Sequence, residues 1–546
     1  MALQQPAGLT PTAALAGAGA ARVVRALDAL ALALLAFTGL LIVTGGVGLG
    51  GVRLERAEDA LVATVAVAAL RHLLRPYVLS PRAPRRWVWG GVAAYSVILS
   101  FITVTRHYNL RTHAVDLALY DQMVWAIATV GAPWSTLPDL HGWGDHFTPV
   151  LYLMAPLYWL LPSVVTMLVV QCVALAVGAF AVWGLGRRLL GDERAAALLA
   201  VLYLLNPSLH GINVRDFHPQ AMAVPLLLAA LYCFETDRPV LFWGAVLLTL
   251  SAREDAGLAV LGFGVWALAV RRRPWTGLVA IVLGFAWLVV TTKWVIPYFR
   301  GESYSHLARW EQFGGSVGGI LIGIVTHPLT VLGTVLSPLR LRYLVAIFAP
   351  WALLPLLAPL ALVPMLPTLG TNLLSRDDVL FHHRTQYMVY VIPFVALAAI
   401  GGFRRLAARR GPAVAHATIV LAMLIALALT ARTVNDLMVR WWWPDTRTRD
   451  VHALVARVPP RVVVATDERI VPHLAHRPRV YIFPARLADS EWVLVNLGAG
   501  SEANLKDWKP ERDGTRMAFR STRGAAVQAF TIVEQRGSLF LLRRPG

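Results

Sequence analysis

Cysteine is nearly absent: Cys172 and Cys233 are the only two in 546 residues, and both lie inside apolar segments. That excludes a disulfide framework and a cysteine-rich metal site. Charge is also scarce, at 15% of residues against 57% hydrophobic, which excludes an ordinary soluble domain. No phosphate-loop or dinucleotide fingerprint occurs, and no clear internal repeat is present. Acidic residues are few beside basic ones, giving a formal net charge of +19. In a soluble chain that surplus would suggest nucleic acid. Here the arginines stand in short clusters between apolar runs, so nucleic acid is excluded as a partner and membrane lipids take its place.

Apolar runs of about twenty residues recur along the chain, the signature of an α-helical polytopic membrane protein. Residues 1–25 are Ala/Gly/Pro-rich and read as a disordered N-terminus. Segments 27–47 and 60–74 read as a transmembrane hairpin, which closes in a loop, 71–86, with five Arg and no acid. That loop marks the cytoplasm, and residues 26–86 form the N-terminal unit. Alternation from this anchor places the loops 106–149, 210–219, 298–317 and 366–387 outside. RRR at 271–273, LRLR at 339–342 and RRLAARR at 404–410 fall inside. Residues 150–160 read as a short interfacial helix ahead of a crossing at 163–185. Further spans are expected near 195–209, 220–235, 239–252, 256–270, 275–297, 318–336, 342–365, 388–403 and 412–432. The total is about thirteen, in a membrane domain spanning 87–432 with a cytoplasmic N-terminus.

Beyond this point composition changes. Residues 433–546 open with an aromatic cluster, WWWPD, and continue as short β-branched runs, RVVVAT, RVYIFP and EWVLVNL, with a closing hairpin at Arg536-Gly537. The pattern predicts a small extracytoplasmic α/β domain.

The polar motifs all fall on the outer side, and ionisable residues converging on one membrane face point to a site. The competing reading is a set of ordinary solvated loops. HAVDLALYDQ, within a helix-like stretch from 115 to 130, carries Asp116 and Asp121. GDHFTP carries Asp145 and His146, and NVRDFHP carries Asp216 and His218. SARED carries Arg253, Glu254 and Asp255, and LLSRDDVLFHHR carries Arg376, His382, His383 and Arg384. Asp116 is placed to act as a catalytic carboxylate or as a helix cap. The other twelve are candidate substrate-binding residues. Asp121 stands about 140° around a helix from Asp116, so the two do not share a face. Asp145, His146, Asp216 and His218 could together hold a divalent metal, although their spacing matches no closed motif. Structural histidines are the plainer reading. Arg376, His382, His383 and Arg384 suit a lipid phosphate, with interfacial anchoring as the competitor.

These motifs, together with HFTPVLYLMAPLYWLLP, NLLS, HHRTQY and VVVATDERIVPHLAHRPRVYIFP, resemble the domain-of-unknown-function 2079 family of predicted membrane proteins from about residue 100 to 485. HHRTQY departs from the expected Tyr-His-Tyr-like cluster. The layout of the family is similar to membrane glycosyltransferases of the C-type fold. The resemblance implies a transferase taking a sugar from a polyprenyl-phosphate donor to an unidentified acceptor, with no certain cofactor. A transporter or flippase of a lipid-linked cell-envelope substrate is the alternative, and a non-catalytic assembly or sensor protein is a third reading.

Overall fold

The computed structural model describes residues 11–49, 51–498 and 505–545. Helix α1 (Pro11–Thr44) begins inside the segment expected to be disordered, because its Ala-rich sequence carries the best helix former. Residues 1–10 of that expectation lie outside the described residues. A short hairpin, β1 (Val47–Leu49) and β2 (Val52–Leu54), leads to α2 (Ala57–Leu74), where Arg71 donates to Asp28 of α1 at 2.8 Å. Helix α3 (Pro84–Tyr108) then delivers the chain to the polar stretch.

That stretch contains a wide turn at Ala114–Ala118, helix α4 (Leu119–Val130) and the hairpin of β3 (Trp134–Ser135) and β4 (Leu140–His141). The short helix expected over 150–160 is a tight turn at Pro149–Met154 followed by α5 (Ala155–Leu160). Ser163, Asp192 and Asn206 cap α6 (Val164–Leu190), α7 (Glu193–Leu204) and α8 (Pro207–Val214), each accepting from a first-turn backbone N–H. Next come α9 (Ala223–Glu235), α10 (Pro239–Leu250), α11 (Ala256–Ala269), α12 (Pro274–Val290) and α13 (Ile296–Arg300). Gly257 and Gly264 of α11 face Gly284 and Gly277 of α12 so closely that any Cβ there would strike the partner backbone. Small residues allow such contact between helices in lipid.

Among the described residues, six helices are long and apolar enough to cross a membrane, or seven if one bent pair counts. The others expected are shorter. Two expected spans take a different course. Segment 318–336 is α14 (Val317–Thr326) and α15 (Pro328–Val335), bent by 90° at His327-Pro328, where proline cannot continue the helix. Segment 342–365 is α16 (Pro338–Phe348), a turn at Ala352-Leu353 with φ of 47° and 59°, and a return through Pro359–Met365 into α17 (Leu366–Leu374). Pro350, Pro355 and Pro359 divide what composition alone joins. Arg340 donates to the carbonyls of Leu373 and Ser375 at 2.5 and 2.6 Å, while Arg405 donates to Leu357 at the far turn at 2.6 Å. LRLR at 339–342 therefore sits at the same end as NLLS, away from RRLAARR, and the expectation that grouped it with RRLAARR is corrected.

Helices α18 (Ile392–Arg410) and α19 (Pro412–Leu429) complete the bundle, whose main core draws on α3, α6, α7, α9, α11, α18 and α19. After α20 (Ala431–Val434) and α21 (Thr446–Val455) the chain forms a seven-stranded sheet. Its strands are β5 (Val464–Thr466), β6 (Val480–Ile482), β7 (Trp492–Asn496), β8 (Trp508–Asp513), β9 (Arg516–Ser521), β10 (Val527–Arg536) and β11 (Leu539–Arg543). The order is β6-β5-β7-β11-β10-β9-β8, with β5 parallel to β6 and β7 and the remainder antiparallel. Alternation gives the sheet two apolar faces. Ala465, Val493, Phe519 and Phe540 lie in one core. Val464, Val480, Leu494 and Leu541 lie in the other, with α21 and with Ala114 and Ala118 of the wide turn. The C-terminal sheet is thus packed directly on the turn that carries Asp116.

Candidate functional site

Asp116 lies at the start of a continuous helical stretch whose first turn is widened, Ala118 N–H reaching back to the His113 carbonyl at 3.4 Å. Such wide turns are rare and favour functional positions. The turn is held from below by a corner at Asp216–His218. The Asp216 carboxylate, almost wholly buried and on a residue with φ of +70°, accepts from the His113 backbone N–H at 3.1 Å and lies 2.9 Å from its Nδ1. Gln171 of α6 fixes the corner with both ends of its amide, donating to the Asp216 carbonyl at 2.8 Å and accepting from His218 N–H at 2.9 Å. His218, extended because Pro219 follows, brings Nε2 to 3.3 Å from Asp116 Oδ1. The imidazole is buried, whereas 30% of the Asp116 side chain is exposed. Burial acts to raise the Asp116 pKa, but His218, Arg215 and His113 outweigh it and hold the carboxyl below its ordinary range.

A second group forms where three loops meet. His146 Nδ1 is 2.7 Å from Glu254 Oε1, and Glu254 also accepts from the Tyr304 hydroxyl at 3.0 Å and from Phe147 N–H at 3.2 Å. The His146 and His306 rings stack with centroids 4.5 Å apart, and His306 Nε2 lies 3.6 Å from Asp145 Oδ1. Burial opposes each charge in this group. Even so, the histidines and Arg300 hold Asp145 well below the usual carboxylate range, and Glu254 with Asp145 lifts His146. The phenol ring of Tyr120 links the two groups, standing in the field of Asp145, Arg253, Asp116 and Glu254. The four-residue metal set Asp145, His146, Asp216 and His218 is divided between them, since Asp216 and His218 serve the Asp116 turn. Among the described residues, Asp145, His146 and His306 are close enough to share an ion.

The third group is basic. His382 lies in the field of Arg215, Arg384, Arg342 and Arg432, which together with burial depress its pKa. Burial, His382, Arg384 and Arg342 bring His383 down to about 4. Arg384 donates to Thr433 Oγ1 at 3.2 Å, and its backbone rests on Gly211 of α8, where any Cβ would overlap the Arg384 Cα. Arg215 belongs to both the Asp116 field and the His382 field, so it joins the carboxylate to the basic group.

Other expected residues have different partners. Asp121 is buried between the Tyr158 hydroxyl at 2.5 Å and His476 Nε2 of the C-terminal domain at 2.9 Å. Arg253 pairs with Asp255 beneath the ring of Tyr387, apart from Glu254's partners. Arg376 bridges to Glu311 at 2.5 Å on an exposed loop. Sequence reading missed Gln171, His113, Arg215, Tyr304, His306, Arg342 and Arg432. His306 lies in a polar outer loop that was visible, but nothing local paired it with Asp145.

A family model described as "Predicted membrane protein (DUF2079)" matches residues 106–531. No curated protein matches the sequence. Among solved structures, ArnT from Cupriavidus metallidurans bound to undecaprenyl phosphate superposes with a TM-score of 0.50 at 12% identity, covering 84% of this chain and 97% of that one. The apo form of ArnT gives a TM-score of 0.48 at 13% identity, covering 84% and 98%. The shared feature is the fold, that of a C-type membrane glycosyltransferase, as the resemblance implied.

Proposed function

We propose, on the premise that this chain belongs to the DUF2079 family of predicted membrane proteins, that it transfers a sugar from a polyprenyl-phosphate donor to an acceptor at the extracytoplasmic face. One observation carries the reading: a partly exposed carboxylate, Asp116, held below its ordinary range, shares the field of Arg215 with a basic group around His382 to which Arg342, Arg384 and Arg432 also contribute. Glycosyl transfer needs this pairing. The acceptor hydroxyl attacks the anomeric carbon and gives its proton to Asp116, while the bond from that carbon to the phosphate oxygen breaks and its electron pair leaves on the phosphate. Arg215, Arg342, Arg384 and Arg432 supply the positive charge that stabilises the departing polyprenyl phosphate. The fold shared with a protein crystallised with undecaprenyl phosphate supports the same donor class. His218 positions Asp116 through its 3.3 Å contact, and Asp216 and Gln171 position the turn.

The 90° break at His327-Pro328 favours the transporter reading, because broken helices mark many transport sites. The test is transfer of labelled sugar from polyprenyl phosphate by purified protein in nanodiscs. Transfer that falls on replacing Asp116 or Arg384 supports the enzyme. Substrate-dependent movement of lipid across a reconstituted bilayer without any transfer supports the transporter.

A further inference from the structure

We infer that Asp145, His146 and His306 form a binding site for a single divalent transition ion of the zinc class, with Glu254 orienting His146 toward it. The inference goes beyond sugar transfer and does not depend on it. Each of the three residues offers one ligand atom, and these atoms all lie within 4.8 Å of one another. Ligand atoms around tetrahedral zinc stand about 3.3 Å apart, so closure needs a contraction of up to about 1.5 Å, with His306 turning out of its parallel stack on His146 so that the two ring lone pairs converge. The donor set is two imidazoles and one carboxylate, which suits zinc or cobalt better than the all-oxygen ions magnesium and calcium.

Two further observations point to an ion. His306 Nε2 is buried yet lacks a hydrogen-bond partner, so a nitrogen facing the Asp145 carboxylate is left for another group. His146, by contrast, directs Nδ1 to Glu254 at 2.7 Å, which leaves Nε2 as its ligating nitrogen. A histidine tied through its other nitrogen to a carboxylate is the usual support for a metal-bound imidazole, and Glu254 is itself fixed by Tyr304 and by Phe147 N–H. The backbone is also preset: the N–H groups of Asp145 and His146 both donate to the Gly142 carbonyl, and Arg300 donates to the Gly144 carbonyl at 3.4 Å. Three protein ligands leave a fourth position for water or substrate oxygen, the coordination of a working site rather than a closed structural one. An ion here would join the loops 142–148 and 301–313, more than a hundred residues apart in sequence, with the loop 251–255 attached through Glu254.

The full-length protein, purified through a histidine-free tag and stripped with chelator, is titrated with Zn2+ and with Co2+ without any sugar donor. One equivalent of metal per chain is expected, with a visible Co2+ band of tetrahedral nitrogen–oxygen coordination and a thermal midpoint raised by Zn2+. Asp145→Asn and His306→Gln should lose the band and the Zn2+ stabilisation. Glu254→Gln should keep the stoichiometry and bind about 10–100-fold more weakly. Wild-type protein that gives no tetrahedral band and takes up far less than one equivalent overturns the site, whatever the variants do. Uptake and a band unchanged in both Asp145→Asn and His306→Gln overturn it as well.

Discussion

At the scale of single residues, the ionised state of Asp116 makes the sharpest demand. Asp116→Asn keeps the size and some hydrogen bonding but removes the proton acceptor, so transfer should fall by about two to four powers of ten. The thermal midpoint should fall modestly, since the amide keeps the shape of the turn but loses the charged contact with buried His218. Because the folded pKa lies below the ordinary 3.8, the stabilisation from His218 and Arg215 is present above that value and is lost as pH falls through the lower one. The acid limb of the rate profile assigned to Asp116 should therefore lie below pH 3.8 in the free enzyme. Arg384→Ala should raise the KM for donor and lower kcat, because the cation serves both ground-state phosphate and leaving group. Charged loop residues were legible in the sequence because ionisable groups in so apolar a chain are costly and seldom idle. Their pairings were not. Asp121 lies on the same helical stretch as Asp116, but it meets His476 some 355 positions away, and no local pattern reports such a contact.

Between elements, the joint between the C-terminal sheet and the wide turn decides whether Asp116 is held. Ala114 and Ala118 lie in the core of the sheet, Gln122 donates to the Arg477 carbonyl at 3.0 Å, and Thr136 exchanges hydrogen bonds with Val480. His476 adds a titratable contact. Burial lowers its pKa, but Asp121 more than compensates and leaves it raised. That contribution is full below about pH 6.5 and is lost as pH rises through the higher folded value. Docking should loosen in mildly alkaline solution, read as faster proteolysis near Pro444, and His476→Ala should remove this pH dependence. A second joint is Gly211 against Arg384: Gly211→Val should displace the basic loop and impair donor use while Asp121 and His476 stay paired. Most helices were legible from apolar run length. The return at 352–358 was not, because hydropathy stays high through a turn that only its prolines disclose. Strands β8 and β9 were missed because charged sequence such as KPERD in a strand at the sheet edge carries little apolar alternation.

For the whole molecule, sugar transfer as proposed requires one face of the bundle to gather Asp116, the Asp145 group and the arginines. Cysteines introduced at Gly142 and Arg342 should be labelled from the same side, opposite one at Ala83. This would separate the observed return of α16 and α17 from the single crossing expected from the sequence. The most direct test of the central claim is a structure of the protein in nanodiscs with polyprenyl phosphate. The phosphate should lie within hydrogen-bond reach of Arg384 and its neighbours Arg215, Arg342 or Arg432, with the Asp116 carboxylate facing the position of the anomeric carbon. A lipid phosphate seated away from these arginines, with Asp116 remote from it, would contradict the account.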